Sequence, residues 1–295
     1  MQTPLVRQIL FVAPAPIVWA EHLGTFASEG LKVETTQTTS SDQIGQGLAN
    51  GSWDIGIGVV DNVVAWNARF AAGLRILAQL ESSQPMAFCG GPGVATLAEA
   101  TRGPIAVDAT SNGFVLVLYR ALADAGIDRN DCDFQKVGGV RERFEALTAG
   151  RVSATMLVPP FIDMALSRGC IRIFDGAELA PAYPGVVATA RGAWTVADRA
   201  SALAYLRALQ RANDWAMDPG NRAGVIAALV NARYSPDAAA RLVQHAVPGL
   251  EPSRPGWDET IGLRRDVGLL PDAPPRFEDI ADLESLASAR VSGNR

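Results

Sequence analysis

The first sixty residues alternate between two kinds of hydrophobic pattern. Residues 5–13 form an apolar run rich in β-formers, residues 31–39 alternate between apolar and polar positions, and residues 53–60 are again apolar. We predict that these three segments are strands. In residues 17–28 and 42–50 the apolar positions recur with helical spacing, and glycines follow the ends. The pattern predicts a β-α-β-α-β unit with a parallel sheet, whose ligands bind beyond the carboxyl ends of the strands.

A second stretch repeats this order of elements. Strand-like runs at 104–108 and 133–137 flank a helical run at 114–125 that a glycine ends. A further β-like run at 186–190 comes after a Tyr-Pro-Gly turn. The remaining segments are predicted to be mainly helical and lie at 196–217, 221–231, 236–246, 258–267 and 277–289.

The composition narrows the range of partners. The 295 residues include 26 basic and 31 acidic side chains, which gives a formal net charge of −5. This balance offers no basic footprint for a phosphate backbone, so we expect no nucleic-acid partner. Three widely spaced cysteines and two histidines do not make a metal set, and we expect no metal and no cofactor. No apolar run approaches the roughly 20 residues that cross a bilayer, so we expect no membrane insertion.

The first twenty residues share some features with a weak secretory leader, namely an early arginine and an apolar stretch. Pro14 and Pro16 would interrupt the apolar helix of such a leader, and no polar cleavage region precedes Trp19. Two interpretations stay open. Either a leader was removed before this numbering, or the protein has none and stays in the cytosol.

Four stretches of the sequence are typical of one family. Residues 21–34 read EHLGTFASEGLKVE, and residues 48–57 read LANGSWDIGI. Residues 146–156 and 194–218 add a second pair. Together they resemble the solute-binding proteins of nitrate, sulfonate and taurine importers, a family that also includes thiamine-pyrimidine-synthase-like proteins and has the type II periplasmic-binding-protein fold. The first two stretches match its first helix and its second and third strands, and the later two match its second lobe and the return to the first.

The resemblance implies an α/β fold of two lobes, each a mostly parallel sheet flanked by helices, with a ligand cleft that closes like a hinge. Carried onto this chain, lobe one is residues 1–86 plus 186–295, and lobe two is residues 87–185. The two crossings then fall near Pro85 and near residues 182–184, where proline marks a turn. The resemblance further implies a periplasmic monomer that passes a small-molecule ligand to an ABC permease, whereas a complete chain without a leader would be cytoplasmic.

Residues that follow the strands of lobe one are candidate ligand contacts. The loop after the first strand adjoins a helix start, where free N–H groups bind polar ligands, and a stiff turn is the alternative. At the end of the third strand, Asp61 either contacts the ligand or caps a helix. Trp19 and Trp66 are candidates for stacking on a ligand, although tryptophans more often pack in the core. The lobe-one candidates are Pro14, Ala15, Pro16, Trp19, Gly58, Val59, Asp61 and Asn62.

Lobe two contributes a second set of candidates. Residues 110–113 start a long apolar helix and are the best anion-binding candidate, although an ordinary N-cap needs only one of them. Arg141 either pairs with a ligand anion or, like Arg143, is a solvated charge. Phe161 lines the cleft or packs in the core, and Cys89 is either close to the cleft or a buried structural thiol. The lobe-two candidates are Cys89, Thr110, Ser111, Asn112, Gly113, Gly139, Arg141, Pro160 and Phe161.

These features predict a solute-binding protein that holds a small polar or anionic organic ligand. The alternative is a cytosolic lyase, decarboxylase or hydrolase on the same scaffold that acts on a small organic acid. Enzymes related to the family use a cysteine after the first strand or a cysteine-rich motif, whereas this chain has Ala13 and Pro14 at the first place and no clustered cysteines. An enzyme would need His22, Asp61 and Cys89 as acid, base or nucleophile.

Overall fold

Ten strands form the framework of the described part of the chain. The computed structural model describes residues 3–83 and 85–293, with side chains as far as residue 290. The strands are β1 (Leu5–Leu10), β2 (Lys32–Gln37), β3 (Ile55–Val59), β4 (Leu74–Gln79), β5 (Ala87–Gly90), β6 (Ile105–Val107), β7 (Phe134–Lys136), β8 (Ala154–Leu157), β9 (Ile171–Asp175) and β10 (Val186–Arg191).

These strands form two five-stranded sheets of the same topology. Sheet one has the order β2-β1-β3-β10-β4, and sheet two has the order β7-β6-β8-β5-β9. In sheet one, β1 is parallel to β2 and β3, and β10 runs antiparallel between β3 and β4. In sheet two, β6 is parallel to β7 and β8, and β5 runs antiparallel between β8 and β9. Four of the five strands in each sheet therefore share one direction, and the two-lobe α/β fold is confirmed.

The described residues contain helices that pack against both sheets. The α-helices are α1 (Ala15–Leu23), α2 (Thr25–Ser28), α3 (Ser41–Asn50), α4 (Val60–Phe70), α5 (Leu97–Ala100), α6 (Val115–Asp124), α7 (Val140–Thr148), α8 (Phe161–Leu166), α9 (Gly176–Leu179), α10 (Gly192–Ala197), α11 (Arg199–Met217), α12 (Arg222–Asn231), α13 (Pro236–Gln244), α14 (Arg254–Asp266), α15 (Phe277–Ile280) and α16 (Leu283–Gly293). Short 3₁₀ helices lie at Arg129–Asp131, Pro219–Asn221 and Pro248–Leu250. None of the described helices is both long enough and apolar enough to span a bilayer.

Two helices predicted as continuous are divided in the structure. The predicted helix at 17–28 breaks at Gly24, which takes the left-handed conformation with φ of 65° and so ends α1 before α2 begins. The predicted helix at 277–289 breaks at Ala281 because this residue pairs with Ile76 at the edge of sheet one. Both breaks come from conformations that helical periodicity does not encode.

The inner strands of sheet one are buried on both faces, whereas the edge strand β2 is largely exposed. Ile9 of β1 packs in a cluster with Ile44 of α3, while the next residue, Leu10, packs in a second cluster with Trp19 of α1. Successive side chains of a strand point to opposite faces, so a strand covered on both sides is apolar at every position. This burial explains the largely apolar run at the start of the sequence, and its polar exceptions are held by side chains: Arg7 donates to Asp54, and Gln8 accepts from the Tyr205 hydroxyl.

The chain passes between the sheets twice, once after β4 and once after β9 with its following helix α9. The names lobe one and lobe two are used below for the predicted ranges, residues 1–86 plus 186–295 and residues 87–185. Helix α14 belongs to the lobe-one range by sequence but contacts α6 of lobe two as well as α4. Beyond its end, Val267 accepts a hydrogen bond of 2.7 Å from the Arg129 guanidinium of lobe two. This segment thus joins the two lobes in addition to the two crossings.

Candidate ligand-binding cavity

A cavity lies between the lobes, at the carboxyl ends of strands from both sheets. It holds about 720 Å³ of empty space when the part open to solvent is counted. Most of its wall is apolar, with Phe11, Val12, Pro14, Phe114, Val140 and Val158 among the lining residues. The polar side chains in the wall are Asn62, Glu81, Asp108, Arg143 and Tyr234.

The topology explains why these residues meet. Val12 comes shortly after β1, Val59 ends β3 and Glu81 follows β4, all in sheet one. On the opposite wall, Asp108 directly follows β6 and Val158 directly follows β8 in sheet two. Strands that run in one direction end at one edge of their sheet, and ligands of such sheets bind beyond that edge. The two edges face each other across the cavity.

Glu81 is the polar group of the wall with the least satisfied environment. Its side chain is 5% exposed, and its Oε2 atom has no hydrogen-bond partner within residues 3–83 and 85–293. Burial raises the pKa of this carboxyl to about 7, against a smaller opposing effect of a hydrogen bond from the backbone N–H of Val186. A Cβ at Gly185 would lie 2.8 Å from Oε2, so the glycine leaves room for the carboxyl.

Asp108 and Arg143 form an ion pair in the wall of lobe two. An Oδ1 to Nη1 distance of 3.1 Å joins them, and the Arg143 side chain is almost fully buried. Burial raises the pKa of Asp108, although the Arg143 charge opposes the shift. Arg143 also donates to the carbonyl of Gly138 at 3.0 Å, whereas its Nε has no partner in the part of the chain that is described. Each of these charges is largely offset by the other.

Tyr234 lines this inner cavity and also a second, outer cavity whose wall includes the exposed residues Arg141 and Arg233. Its hydroxyl donates a hydrogen bond of 2.8 Å to the carbonyl oxygen of Ala13, which fixes the ring beside the loop after β1. The ring lines both cavities, as do Phe11, Val12 and Val140. The inner and outer cavities are therefore adjacent parts of one cleft.

The lobe-one candidates divide into cavity residues and core residues. Pro14, Gly58, Val59 and Asn62 line the inner cavity, while Ala15 and Pro16 are buried in the first turn of α1. Trp19 is fully buried, and its indole N–H donates to the carbonyl of Val225 at 3.3 Å.

The two tryptophans expected to stack on a ligand do not line the inner or outer cavity. Trp19 packs in the core between α1 and α12, and Trp66 is only 1% exposed. Trp66 lies so close to α3 that a Cβ at Gly45 would be 2.4 Å from its ring. Both indoles sit on helix faces that pack against their own lobe, so the stacking expectation does not fit their positions.

The lobe-two candidates occupy different parts of the cleft. Gly113 lines the inner cavity, whereas Gly139, Arg141, Pro160 and Phe161 line the outer one. The Arg141 guanidinium lies 5.5 Å from the centroid of the Phe161 ring, within range of a cation–π contact.

The other residues of the helix-start segment make contacts within the protein. The carbonyl of Thr110 accepts from the hydroxyl of Tyr119 at 3.0 Å, and the carbonyl of Ser111 accepts from Arg264 at 3.3 Å. The Asn112 amide donates to lobe one, at 2.8 Å to Ser41 Oγ and 2.9 Å to Asn62 Oδ1.

Asp61 supplies the anion at the start of α6. Its Oδ2 accepts from the backbone N–H of Gly113 at 2.7 Å, and its Oδ1 accepts from Arg264 Nη1, also at 2.7 Å. The carboxylate is fully buried and does not line the inner or outer cavity. The segment predicted to bind a ligand anion therefore holds a carboxylate of the protein itself, and Asp61 joins the lobes.

The three groups proposed for an enzyme are not brought together. Cys89 is fully buried in β5, and burial raises the pKa of its thiol to about 12. His22 is exposed on the last turn of α1, with its ring centroid 6.1 Å from that of Trp215. Asp61 is held by Arg264. Cys89 lines neither the inner nor the outer cavity, because it is buried in β5, an interior strand of sheet two.

Sequence reasoning missed four polar residues of the wall, namely Glu81, Asp108, Arg143 and Tyr234. The sequence pattern does indicate Asp108, because this residue ends the predicted strand at 104–108 and so lies at a carboxyl edge. Glu81 follows an apolar run that was not read as a strand. Arg143 looked like one of several solvated charges on a helix, and Tyr234 enters from a distant part of the sequence. Within the described ranges there is no cluster of three or more His, Cys, Asp or Glu side chains that would suit a metal ion.

Two lobes of equal sheet topology with a cleft between them define the periplasmic-binding-protein fold of type II. A sequence model of the NMT1-like family matches residues 9–230, and the chain belongs to this family. The comparison with curated proteins gives no match.

Solved structures of this fold are similar over nearly the whole chain. The periplasmic nitrate-binding protein NrtA from Synechocystis PCC 6803 aligns with a TM-score of 0.81 and 14% identity, over 99% of this chain and 89% of its own. The alkanesulfonate-binding protein SsuA from Xanthomonas axonopodis pv. citri, bound to MOPS, aligns with a TM-score of 0.77 and 18% identity, over 95% and 99%. A protein from Bordetella bronchiseptica RB50 aligns with a TM-score of 0.81 and 19% identity, over 99% and 98%.

Proposed function

We propose that the protein is a solute-binding protein that captures a small organic ligand between its lobes for an ABC-type importer. The observation that carries this proposal is the cavity itself, which lies between the strand ends of both sheets and has buried polar groups in an apolar wall. Such a cavity suits reversible capture, because closing the lobes removes apolar ligand surface from water. Membership of the NMT1-like family and the similarity to nitrate- and alkanesulfonate-binding proteins support it.

The partner and the compartment belong to the same proposal. An importer of this type needs a permease that accepts the closed, loaded form, and its binding protein works in the periplasm as a monomer. The similar protein from Synechocystis is named as periplasmic, which supports this location. A two-lobe protein signals its loaded state through the relative position of the lobes, so the contacts between them matter for both affinity and delivery.

Binding is favoured over catalysis by the chemistry of the site. A nucleophile or general base has to reach the ligand, whereas Cys89 lies inside a sheet, Asp61 is occupied by Arg264 and His22 is on a distant surface. In the inner cavity, Asp108 is paired with Arg143. Glu81 also lines this cavity, but no cysteine or histidine lies beside it among the described lining residues, so the arrangement suits recognition better than group transfer.

Thermal unfolding of the full chain against a library of small organic compounds tests the proposal. A ligand at a hundred times its dissociation constant stabilises by about 2.7 kcal/mol, which raises the melting temperature by about 4 °C in a protein of this size. Val12→Trp, which fills the cavity, is expected to abolish the shift, and Val196→Trp, at a position 78% exposed, is expected to keep it. Equal binding by Val12→Trp, or conversion of the compound into a product, contradicts the proposal.

A further inference from the structure

The charges of the inner cavity do not favour an anionic ligand group. Its wall contains the carboxyl groups of Glu81 and Asp108 and the guanidinium of Arg143. Asp108 already offsets Arg143 at 3.1 Å, which leaves Glu81 as the unbalanced group. The N–H of Gly113 at the start of α6 is taken by Asp61. An anion entering the inner cavity would meet Arg143 already paired with Asp108 and the N–H of Gly113 already bound to Asp61.

Glu81, by contrast, needs a hydrogen-bond donor rather than an anion. Its Oε2 is buried and has no hydrogen-bond partner in the described ranges, although its side chain is part of the cavity wall. A buried acceptor that has lost its water is unfavourable unless a donor reaches it. Among the described residues, the Glu81 carboxyl receives a hydrogen bond from the backbone N–H of Val186, and no protein donor reaches its Oε2 atom. A ligand that brings an N–H group would satisfy the remaining oxygen.

The rest of the wall indicates what surrounds such a group. Phe11, Val12 and Phe114 provide aromatic and aliphatic surface, and the cation–π pair of Arg141 and Phe161 lies in the outer cavity. Burial of apolar ligand surface against these side chains supplies most of the affinity of such a site, and a few polar contacts set the orientation.

We propose that the ligand carries an N–H donor, as an ammonium or an amide, which binds Glu81 Oε2 at the inner end of the cavity while an apolar body lies against Phe11, Val12 and Phe114. This inference rests on the proposed function and specifies its ligand class. In this proposal, Glu81 is the residue that makes the protein prefer ligands with an N–H donor over anionic ligands. Nitrate and alkanesulfonates, which the similar proteins are named for, lack such a group.

Four probes with one ring and different head groups test the inference. Benzylamine, benzamide, benzoate and benzenesulfonate are titrated by calorimetry into the full-length wild type, Glu81→Gln and the control Glu145→Gln, whose side chain is exposed on α7. We expect benzylamine and benzamide to bind more tightly than the two anions. A hydrogen bond to a charged group is worth about one to two decades in affinity, so Glu81→Gln should weaken benzylamine at least tenfold while Glu145→Gln leaves it unchanged.

The outcomes separate the inference from the proposed function. The inference is overturned if all four probes bind with equal affinity or if none of them binds. It is also overturned if Glu81→Gln does not alter the affinity for benzylamine. A benzenesulfonate affinity that exceeds that of benzylamine and survives Glu81→Gln leaves solute binding intact but makes this ligand class wrong. If Glu81→Gln does not fold, a crystal structure of the wild type soaked with benzylamine decides. The nitrogen must lie within hydrogen-bond distance of Glu81 Oε2, and any other position contradicts the inference.

Discussion

Asp61 of lobe one accepts a hydrogen bond of 2.7 Å from the backbone N–H of Gly113 in lobe two. The second oxygen of the same carboxylate is bound by Arg264 of α14, and neither side chain is more than 6% exposed. Burial raises the pKa of Asp61, while Arg264 and the Gly113 N–H both oppose that shift. One buried carboxylate therefore holds together the start of α4, the start of α6 and the segment that bridges the lobes.

Replacing this carboxylate is expected to be strongly destabilising. Asp61→Asn keeps the shape of the side chain but leaves the Arg264 charge buried without a counter-ion. Breaking a buried ion pair in this way lowers the free energy of unfolding by about 3–5 kcal/mol. Urea denaturation followed by circular dichroism measures the change.

A matched control comes from an exposed ion pair of the same type. Asp42 pairs with Arg69 at 2.6 Å, and both side chains are about half exposed. Asp42→Asn is expected to change the free energy of unfolding by less than about 1 kcal/mol. If both variants lose equally little stability, the Asp61 pair does not join the lobes as described.

The buried carboxyl of Glu81 predicts a pH dependence of stability. Its pKa is raised by burial to about 7, against an ordinary value of 4.5. The folded protein therefore holds the proton more tightly than the unfolded chain, so the contribution is full at pH below 4.5 and is lost as the pH rises through 7. Between pH 5 and pH 8, the wild type should lose about 2–3 kcal/mol more free energy of unfolding than Glu81→Gln.

Urea denaturation of both proteins at the two pH values measures this difference. Other groups also titrate across the range: burial lowers the pKa of His245 and raises that of Asp108. Both groups are present in the wild type and in Glu81→Gln, so their effects cancel in the comparison. Parallel loss of stability in the two proteins would mean that Glu81 keeps an ordinary pKa.

Much of the fold could be predicted because its strands are marked locally. The run at 5–13 is largely apolar because most of β1 is covered on both faces, and the phrase that contains Trp53 leads into β3. Knowing where strands end was enough to select Pro14, Gly58 and Asn62, which line the inner cavity. Because ligands of such sheets bind beyond the carboxyl ends of the strands, predicting where a strand ends also predicts which residues lie at the binding site.

The remaining features depend on tertiary packing. The direction in which Trp19 points is set by its rotation about α1 and by its contact with Val225, which lies 206 residues away. Asp61 was expected to be either a cap or a ligand contact, and its true partners, Gly113 and Arg264, come from segments whose approach no local pattern reveals. The unpaired state of Glu81 depends on how the crossing at Gly185 folds back over it. The surroundings of these side chains are set by contacts between segments that are distant in the sequence, so they can be seen only in the folded protein.

The buried thiol of Cys89 is expected to be unreactive in the folded protein. It is fully buried, and its pKa of about 12 keeps it protonated at neutral pH. Iodoacetamide at pH 8 should therefore modify the half-buried Cys132 first and Cys89 only after unfolding in urea. Mass spectrometry of tryptic peptides identifies each site. Alkylation of folded Cys89 as fast as Cys132 would restore the case for a cysteine-dependent reaction.

Asn112 is the side chain whose loss is expected to loosen the contact between lobes without removing a charge. Its amide donates from lobe two to Ser41 Oγ at 2.8 Å and to Asn62 Oδ1 at 2.9 Å, both in lobe one. At about 1 kcal/mol for each hydrogen bond, Asn112→Ala should favour the open arrangement by roughly 30-fold. The amide proton of Gly113, which is bonded to Asp61 across the same contact, should then exchange faster with deuterium.

Hydrogen exchange read by mass spectrometry on peptides that contain Gly113 measures this effect. Asn130→Ala is the control, because Asn130 is exposed in lobe two and no side-chain contact to lobe one is recorded for it within the described ranges. Faster exchange in Asn112→Ala alone, with unchanged exchange in the strands of sheet two, would locate the change at the contact between lobes. Faster exchange throughout lobe two would instead mean that Asn112 stabilises the lobe itself. Because closure and ligand retention are linked, opening should weaken a ligand that binds the closed form by at most this factor, which is reached when the open form dominates in the free protein.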